Sequence, residues 1–301
     1  MFRNFNNLVK NLKSKFFSDY NISNSTWFRT GGRADIFCIV IDEHELEIIL
    51  NNLKEETPIF VIGVGSNVLI RDGGFRGLII KLGKSFNTLN INKNSIIAGA
   101  SILDANLSKY AYYHSLQGLE FFSGIPGSVG GAVKMNAGCY GCETKDVLKE
   151  ISYFTKNGLK KTLKNKDLGF SYRDSNLADN DVVTSVQFNG ALGEKNAIEL
   201  KINEIKLMRE ATQPIKNKTG GSTFKNPKGK FAAQLIEQAD CKGMTFGDAV
   251  VSAKHSNFLI NSGNATANDI ETLGKIIQER VMKKLNVLLE WEIKIIGDIY
   301  D

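Results

Sequence analysis

The chain has 301 residues, 42% apolar and 23% charged, proportions that fit a globular protein and exclude a fibrous or disordered one. Its +6 charge comes from 38 basic against 32 acidic residues. These are scattered rather than set in Arg-rich stripes with interleaved aromatics, which argues against a nucleic-acid surface and suits a small anionic ligand. Two long uncharged stretches, residues 57–70 and 121–133, are broken by Gly, Ser, Asn or Pro and fall short of the roughly 20 apolar residues of a membrane span.

In chain order, the first twenty residues mix Phe, Leu and Val with Lys, Arg and Asn. They lack the continuous apolar run of a signal peptide, so they read as an amphipathic surface helix, with the cytoplasm as the default compartment. Residues 34–41 (ADIFCIVI) read as a strand. Asp42 and Glu45 then have capping-box spacing for a helix to about Lys54. Residues 58–62 and 78–82 read as buried strands around a glycine-rich turn, and 96–98 as another. Residues 102–116 have helical periodicity. Strands follow at 151–155 and 182–188, with Asn157-Gly158 marking a solvated hairpin. Residues 197–209 form an amphipathic helix, with Ile198, Ile202, Ile205 and Met208 on one side. Residues 211–221 have almost no apolar content and read as a linker. Beyond it come a helix at 231–238, a strand at 250–260, a helix at 267–285 opened by Thr266 and Asp269, and a strand at 288–296. Hairpin-like regions interrupt the alternation of helices and strands, which favours α+β with more than one domain.

Five segments carry the chemistry. The first is VIGVGSNVLIRDGGFRG, residues 61–77, in which a strand runs into Gly63, Val64, Gly65, Ser66 and Asn67. Successive small residues let backbone N–H groups face one concavity, which suits a pyrophosphate. The third glycine of a dinucleotide fingerprint is Val68 here and a strand-like stretch follows, so this is not a Rossmann turn; alone, it is equally a plain tight turn. The second is SGIPGSVGGAVKMNAG, residues 123–138, with five Gly and one charge, Lys134. It is either a close crossing of backbones or a loop around a flat or phosphate-bearing cofactor. The third is FSYRDS, residues 170–175, where the fork of Arg173 can bind a carboxylate with two parallel hydrogen bonds or simply pair with Asp174. The fourth is GGSTFKNP, residues 220–227, which presents Ser222 after two glycines. With no local base, Ser222 suits giving or relaying a proton better than attacking. The fifth is LEWEIKIIG, residues 289–297, where Glu290, Glu292 and Lys294 share one face of a strand, either solvated or lining a cleft.

Four cysteines, Cys38, Cys139, Cys142 and Cys241, include one C-x-x-C but no second pair at zinc-ribbon spacing. His44, His114 and His255 stand alone. The thiols read as ordinary reduced ones, with no metal site.

Taken together and in this order, with TWFRTGG at 26–32 and KHSNFLIN at 254–261, these segments resemble the UDP-N-acetylmuramate dehydrogenase family (UDP-N-acetylenolpyruvoylglucosamine reductases), in its shorter branch, over residues 25–297. The resemblance implies an α+β fold with a vanillyl-alcohol-oxidase-type FAD module in two subdomains, 1–86 and 87–210. A smaller α+β substrate-binding domain, 211–301, would follow. It implies non-covalent FAD, cradled by Gly63, Val64, Gly65, Ser66 and Asn67 and by Ile125, Pro126, Gly127, Ser128, Gly130 and Gly131. NADPH would give hydride to the flavin, and the sugar-nucleotide enolpyruvyl ether would receive it. Arg173 would stabilise the substrate carboxylate, Ser222 would protonate C2, and Glu292 would assist. Asn226, His255 and Lys294 would contact substrate; the family usually has Arg at the position of Lys294, which keeps the charge without the fork. The family's segment around 136–141 usually lacks cysteines. A monomer with no nucleic-acid or membrane partner is expected. A related FAD oxidase that passes electrons to oxygen is the competing enzyme.

Overall fold

Arg33–Val40 forms a strand because its apolar residues face inward on both sides. It lies between Lys15–Asn21 and Phe75–Leu82 in a four-stranded sheet completed by Ile59–Val61. The computed structural model describes Met1 and residues 5–300. Its contacts divide the chain into two units: Met1–Ser18, Ile36–Gly63 and Gly77–Met208 in the first, and Asp19–Asp35, Val64–Arg76 and Arg209–Asp301 in the second.

Most of the four-stranded sheet belongs to the first unit, over a core that includes Leu46, Ile49, Leu78 and Ile80. Asp42 caps the helix Glu43–Asn51 by accepting from the Glu45 amide at 2.9 Å. The expected capping box is only half present, because the buried Glu45 carboxylate turns elsewhere. It accepts from the amides of Lys13 and Ser14 at 2.8 and 2.7 Å. Burial alone would raise this carboxyl, but those amides and the Ser14 hydroxyl outweigh it and hold the group below its ordinary range.

A second sheet in this unit is antiparallel, with the order Lys160–Lys164, Leu148–Phe154, Val182–Asn189, Ser95–Gly99, Leu89–Asn92. The expected hairpin is its edge, with Phe154 opposite Lys160 and Gly158 at φ +72°. The helix Asp104–Tyr113 contributes the buried residues Leu107 and Ala111 to a core shared with Phe121, Phe122 and Phe188.

The second unit holds four antiparallel strands in the order Lys218–Ser222, Phe258–Asn261, Ala249–Val251, Thr245–Phe246. The helices Ala232–Gln238 and Ala267–Leu285 share a core with this sheet through Leu235, Ile236, Ile270, Leu273, Val251 and Leu259. Thr266 and Asp269 close the predicted capping box. Lys294–Ile296 pairs in parallel with Val68–Ile70.

Four expectations are corrected. Within the first twenty residues the helix is only Phe5–Asn11, and Lys15–Asn21 is a strand because its backbone pairs with Arg33–Val40; residues 2–4 lie outside the described residues. The 211–221 linker is partly folded. Thr219 and Gly220 are buried in a strand, and a Cβ at Gly220 would collide with the Phe28 ring, so low apolar content here reflects close packing. The single strand at 250–260 is two strands, because the Ser252 hydroxyl accepts from the amides of Lys254 and His255 and turns the chain. Of 288–296, only Lys294–Ile296 is a regular strand.

One ion pair anchors this unit. Arg71 binds the Glu271 carboxylate with both Nε (2.8 Å) and Nη2 (3.1 Å), and Lys275 adds a contact at 2.8 Å. The Arg71 fork, opposed by burial, holds the Glu271 carboxyl below its ordinary range. A carboxyl lowered on folding contributes stability above its unfolded value and loses it as pH falls through the folded value. Glu271→Gln will therefore cost about 1–3 kcal/mol at pH 7, less than the roughly 3–5 kcal/mol of a fully buried broken pair because Arg71 is partly exposed. The gap to wild type will close as pH falls below about 4.3. Urea denaturation of both proteins across that range checks it; a gap independent of pH would refute the assignment.

Candidate active site

In the first unit Gly63 lies against the second glycine run. A Cβ at Gly63 would collide with Ser128 Oγ, and one at Gly130 would stand 3.1 Å from the Ala100 Cβ. The loop 125–131 is pinned from behind. Val129 N donates to Ile102 O and Gly130 N to Ala100 O, both at 2.9 Å, and Gly127 O accepts from Asp104 N at 3.1 Å. Among the described residues, the amides of Gly63, Val64, Gly65 and Ser66 have no backbone acceptor. Within the first unit, a surface bare of side chains at Gly63, Gly127, Gly130 and Gly131 fits close approach of a pyrophosphate-bearing dinucleotide such as FAD.

Asp104 was read from the sequence only as part of a helix, and the structure gives it another character. It is fully buried, and neither carboxyl oxygen has a hydrogen-bond partner among the described residues. Burial, with no partner to offset it among the described residues, pushes this carboxyl well above its ordinary value. It also explains Gly127, where a Cβ would lie 2.5 Å from Asp104 Oδ2.

Arg173, also in the first unit, sits at φ +58° in a turn closed by reciprocal backbone bonds between Ser171 and Asp174 at 3.1 and 3.3 Å. Its Nη2 donates to Gly138 O at 2.7 Å, and its Nη1 lies 4.0 Å from the Glu143 carboxylate. Its guanidinium lies over the Tyr172 ring. Buried Asn136 donates to both Glu143 Oε2 (3.0 Å) and Ser171 O (2.9 Å). Asn136 and Glu143 thus hold Arg173 in place. Neither was picked from sequence, since their pairing depends on the turn that Asn136 makes at φ +42°.

The second unit brings Asn67, Ser222, Glu292 and Lys294 together. A bulge at Gly220-Gly221, with Gly221 at φ +78°, ends the strand at half-buried Ser222. The next carbonyl, Thr223 O, accepts from Glu292 N at 2.9 Å. Asn67 Nδ2 donates to Glu292 O at 3.1 Å, and Lys294 N donates to Asn67 O at 3.1 Å. Asn257 stiffens the joint: its carbonyl accepts from Thr223 N, and its side chain bonds both ways with the Phe224 backbone.

Asn226 is exposed, and its Oδ1 accepts from Ala232 N at 2.9 Å, so that oxygen caps a helix. His255 is half-buried, with Nδ1 accepting from Asn257 N at 3.3 Å. Burial lowers its imidazole, partly offset by Glu237, so it is neutral near pH 7. Lys294 is exposed. No group of three or more His, Cys, Asp or Glu side chains able to hold a metal is found among the described residues, and no helix there is long and apolar enough to cross a membrane.

Residues 34–164 match an FAD binding domain family. Residues 213–296 match the C-terminal domain of UDP-N-acetylenolpyruvoylglucosamine reductase. The chain is 43% identical over 286 residues to the UDP-N-acetylenolpyruvoylglucosamine reductase of Rickettsia conorii, covering 95% of this chain and 97% of that one. It is 46% identical over 287 residues to the enzyme of the same name from Methylorubrum populi, covering 95% and 93%. The crystal structure of UDP-N-acetylenolpyruvylglucosamine reductase from Thermus caldophilus superposes with a TM-score of 0.82 at 34% identity, covering 94% of this chain and 98% of that one.

Proposed function

The chain belongs to the UDP-N-acetylenolpyruvoylglucosamine reductase family and is an FAD-binding oxidoreductase, and we propose that it uses NADPH to reduce UDP-N-acetylglucosamine enolpyruvate to UDP-N-acetylmuramate. This is a cytoplasmic step of peptidoglycan precursor synthesis. The protein acts as a monomer on a small-molecule substrate, with no nucleic-acid or membrane partner. Residues 1–86 and 87–210 serve the flavin and 211–301 the sugar nucleotide. The reading is carried by the joint of Asn67, Thr223 and Glu292, which fixes Ser222 and Glu292 on adjoining segments.

FAD, when bound, would supply the hydride chemistry that links the nicotinamide donor to C3 of the enolpyruvyl group. The residues proposed to hold it are Gly63, Val64, Gly65, Ser66 and Asn67, with Ile125, Pro126, Gly127, Ser128, Gly130 and Gly131. Adding hydride to an unsaturated carboxylate builds enolate charge there, and the Arg173 fork meets that charge. Ser222 gives the proton that C2 needs, and Glu292 replenishes it or polarises the carboxylate. Asn226, His255 and Lys294 line the substrate path. Asn226 reaches toward the substrate diphosphate, and Lys294 brings a point charge that cannot make the two parallel bonds of an Arg fork.

Anaerobic flavin absorbance tests the whole reading. NADPH will bleach the flavin band, and the sugar nucleotide will restore it. Bleaching without return would remove the substrate assignment and favour an oxidase; no flavin bound after reconstitution would remove the cofactor reading.

A further inference from the structure

The C-x-x-C motif has no place in this chemistry, and its surroundings give it one. Gly138–Cys139 and Cys142–Glu143 are an antiparallel pair, with Cys142 directly opposite Cys139 and Glu143 opposite Gly138. Tyr140 and Gly141, which join them, both have positive φ, +53° and +83°, as in the tightest hairpin turns. Both cysteines are partly exposed, and neither is in a disulfide. Cys38 and Cys241 are fully buried, and burial pushes both of those thiols up, which makes them unreactive.

Directly opposed residues of an antiparallel pair have Cα atoms about 4.5–5.5 Å apart, inside the disulfide window of about 4.4–6.8 Å. Their Cβ atoms lie about 4.5–5.5 Å apart, whereas a disulfide brings them to about 3.8 Å. Closing the bond therefore draws the two strands together by about 1 Å. Both strands hold Arg173, one through Gly138 O at 2.7 Å and the other through the Glu143 carboxylate. Closure also removes the Cys139 S–H that donates to Phe121 O at 3.2 Å.

We propose that Cys139 and Cys142 form a reversible disulfide-modification site, and that its oxidation shifts the anchor of Arg173 and weakens substrate binding. The oxidant is a small-molecule disulfide. One cysteine attacks a sulfur of the reagent, which forms a mixed disulfide and releases one small thiol. The second cysteine then attacks the protein sulfur and releases the other. Two protein thiols lose two electrons and two protons, the reagent's S–S bond accepts them, and one S–S bond forms as another breaks. The kinetic consequence rests on the role of Arg173 proposed above; the modification itself does not.

The FAD-loaded protein, equilibrated with glutathione disulfide and acid-quenched, tests the proposal. The peptide 135–145 will lose two hydrogens in mass. The KM for the sugar nucleotide will rise about fivefold or more, a shift of about one order of magnitude in affinity at most. Flavin reduction by NADPH will keep its rate, and dithiothreitol will reverse the change. Cys142→Ser, or Cys139→Ser if that variant is unstable, will keep its KM in both buffers. Stable glutathione adducts without the internal bond would overturn the proposal, as would an internal bond with unchanged KM. A normal KM in Arg173→Met alongside the mass change would instead remove the assigned role of Arg173.

Discussion

Ser222→Ala will leave reduction of the flavin by NADPH at the wild-type rate and slow its reoxidation by the sugar nucleotide by about 10²- to 10⁴-fold, the usual contribution of a positioned proton donor. The geometry argues for a donor held in place rather than an activated nucleophile. A bulge whose Gly221 occupies φ +78° sets the position of Ser222. The neighbouring Thr223 is fixed by Asn257 on one side and by Glu292 on the other. His255, the histidine proposed for the substrate path, has its Nδ1 engaged by the Asn257 amide, so it is not an evident base for Ser222. Stopped-flow absorbance separates the two half-reactions. An alanine variant that reoxidises at the wild-type rate would exclude Ser222 as the donor.

Arg173→Met will lower kcat/KM for the sugar nucleotide by about 10²- to 10³-fold, the range for removing a group aimed at developing negative charge. Arg173→Lys will recover only part of this, because a point charge cannot make two parallel bonds to a carboxylate. The backbone of Arg173 lies in a left-handed conformation that costs a non-glycine residue about 1–2 kcal/mol. The Ser171–Asp174 turn and the bond to Gly138 O sustain it. Strain maintained by such supports is expected where a side chain must be aimed. Steady-state kinetics with saturating NADPH measures the loss; a methionine variant within a fewfold of wild type would exclude the role.

The strands and helices whose burial follows a simple period were readable from the residues. Ala267–Leu285 begins and ends where Thr266, Asp269 and the apolar spacing place it, and Arg33–Val40 lies within one residue of its apolar run. The reading failed where a local pattern had a distant cause. The stretch before Ser222 looked like a linker because Thr219 and Gly220 are small, yet they are small because the Phe28 ring lies against Gly220. Asp104 fell inside a stretch of helical periodicity, and nothing in its neighbours in sequence reveals that both its carboxyl oxygens are buried without partners among the described residues.

By itself, the sequence determined the α+β class, the ordered motifs and the family they point to, because glycine spacing, capping residues and hydrophobic period act over a few residues. Only the tertiary structure decided that Asn136 and Glu143 hold Arg173 and that Asn67 is bonded to Glu292 across 225 residues of chain. It alone brought the short hairpin of Cys139 and Cys142 to the anchor of Arg173. These are contacts between segments whose meeting depends on how the whole chain closes, and no local propensity encodes them.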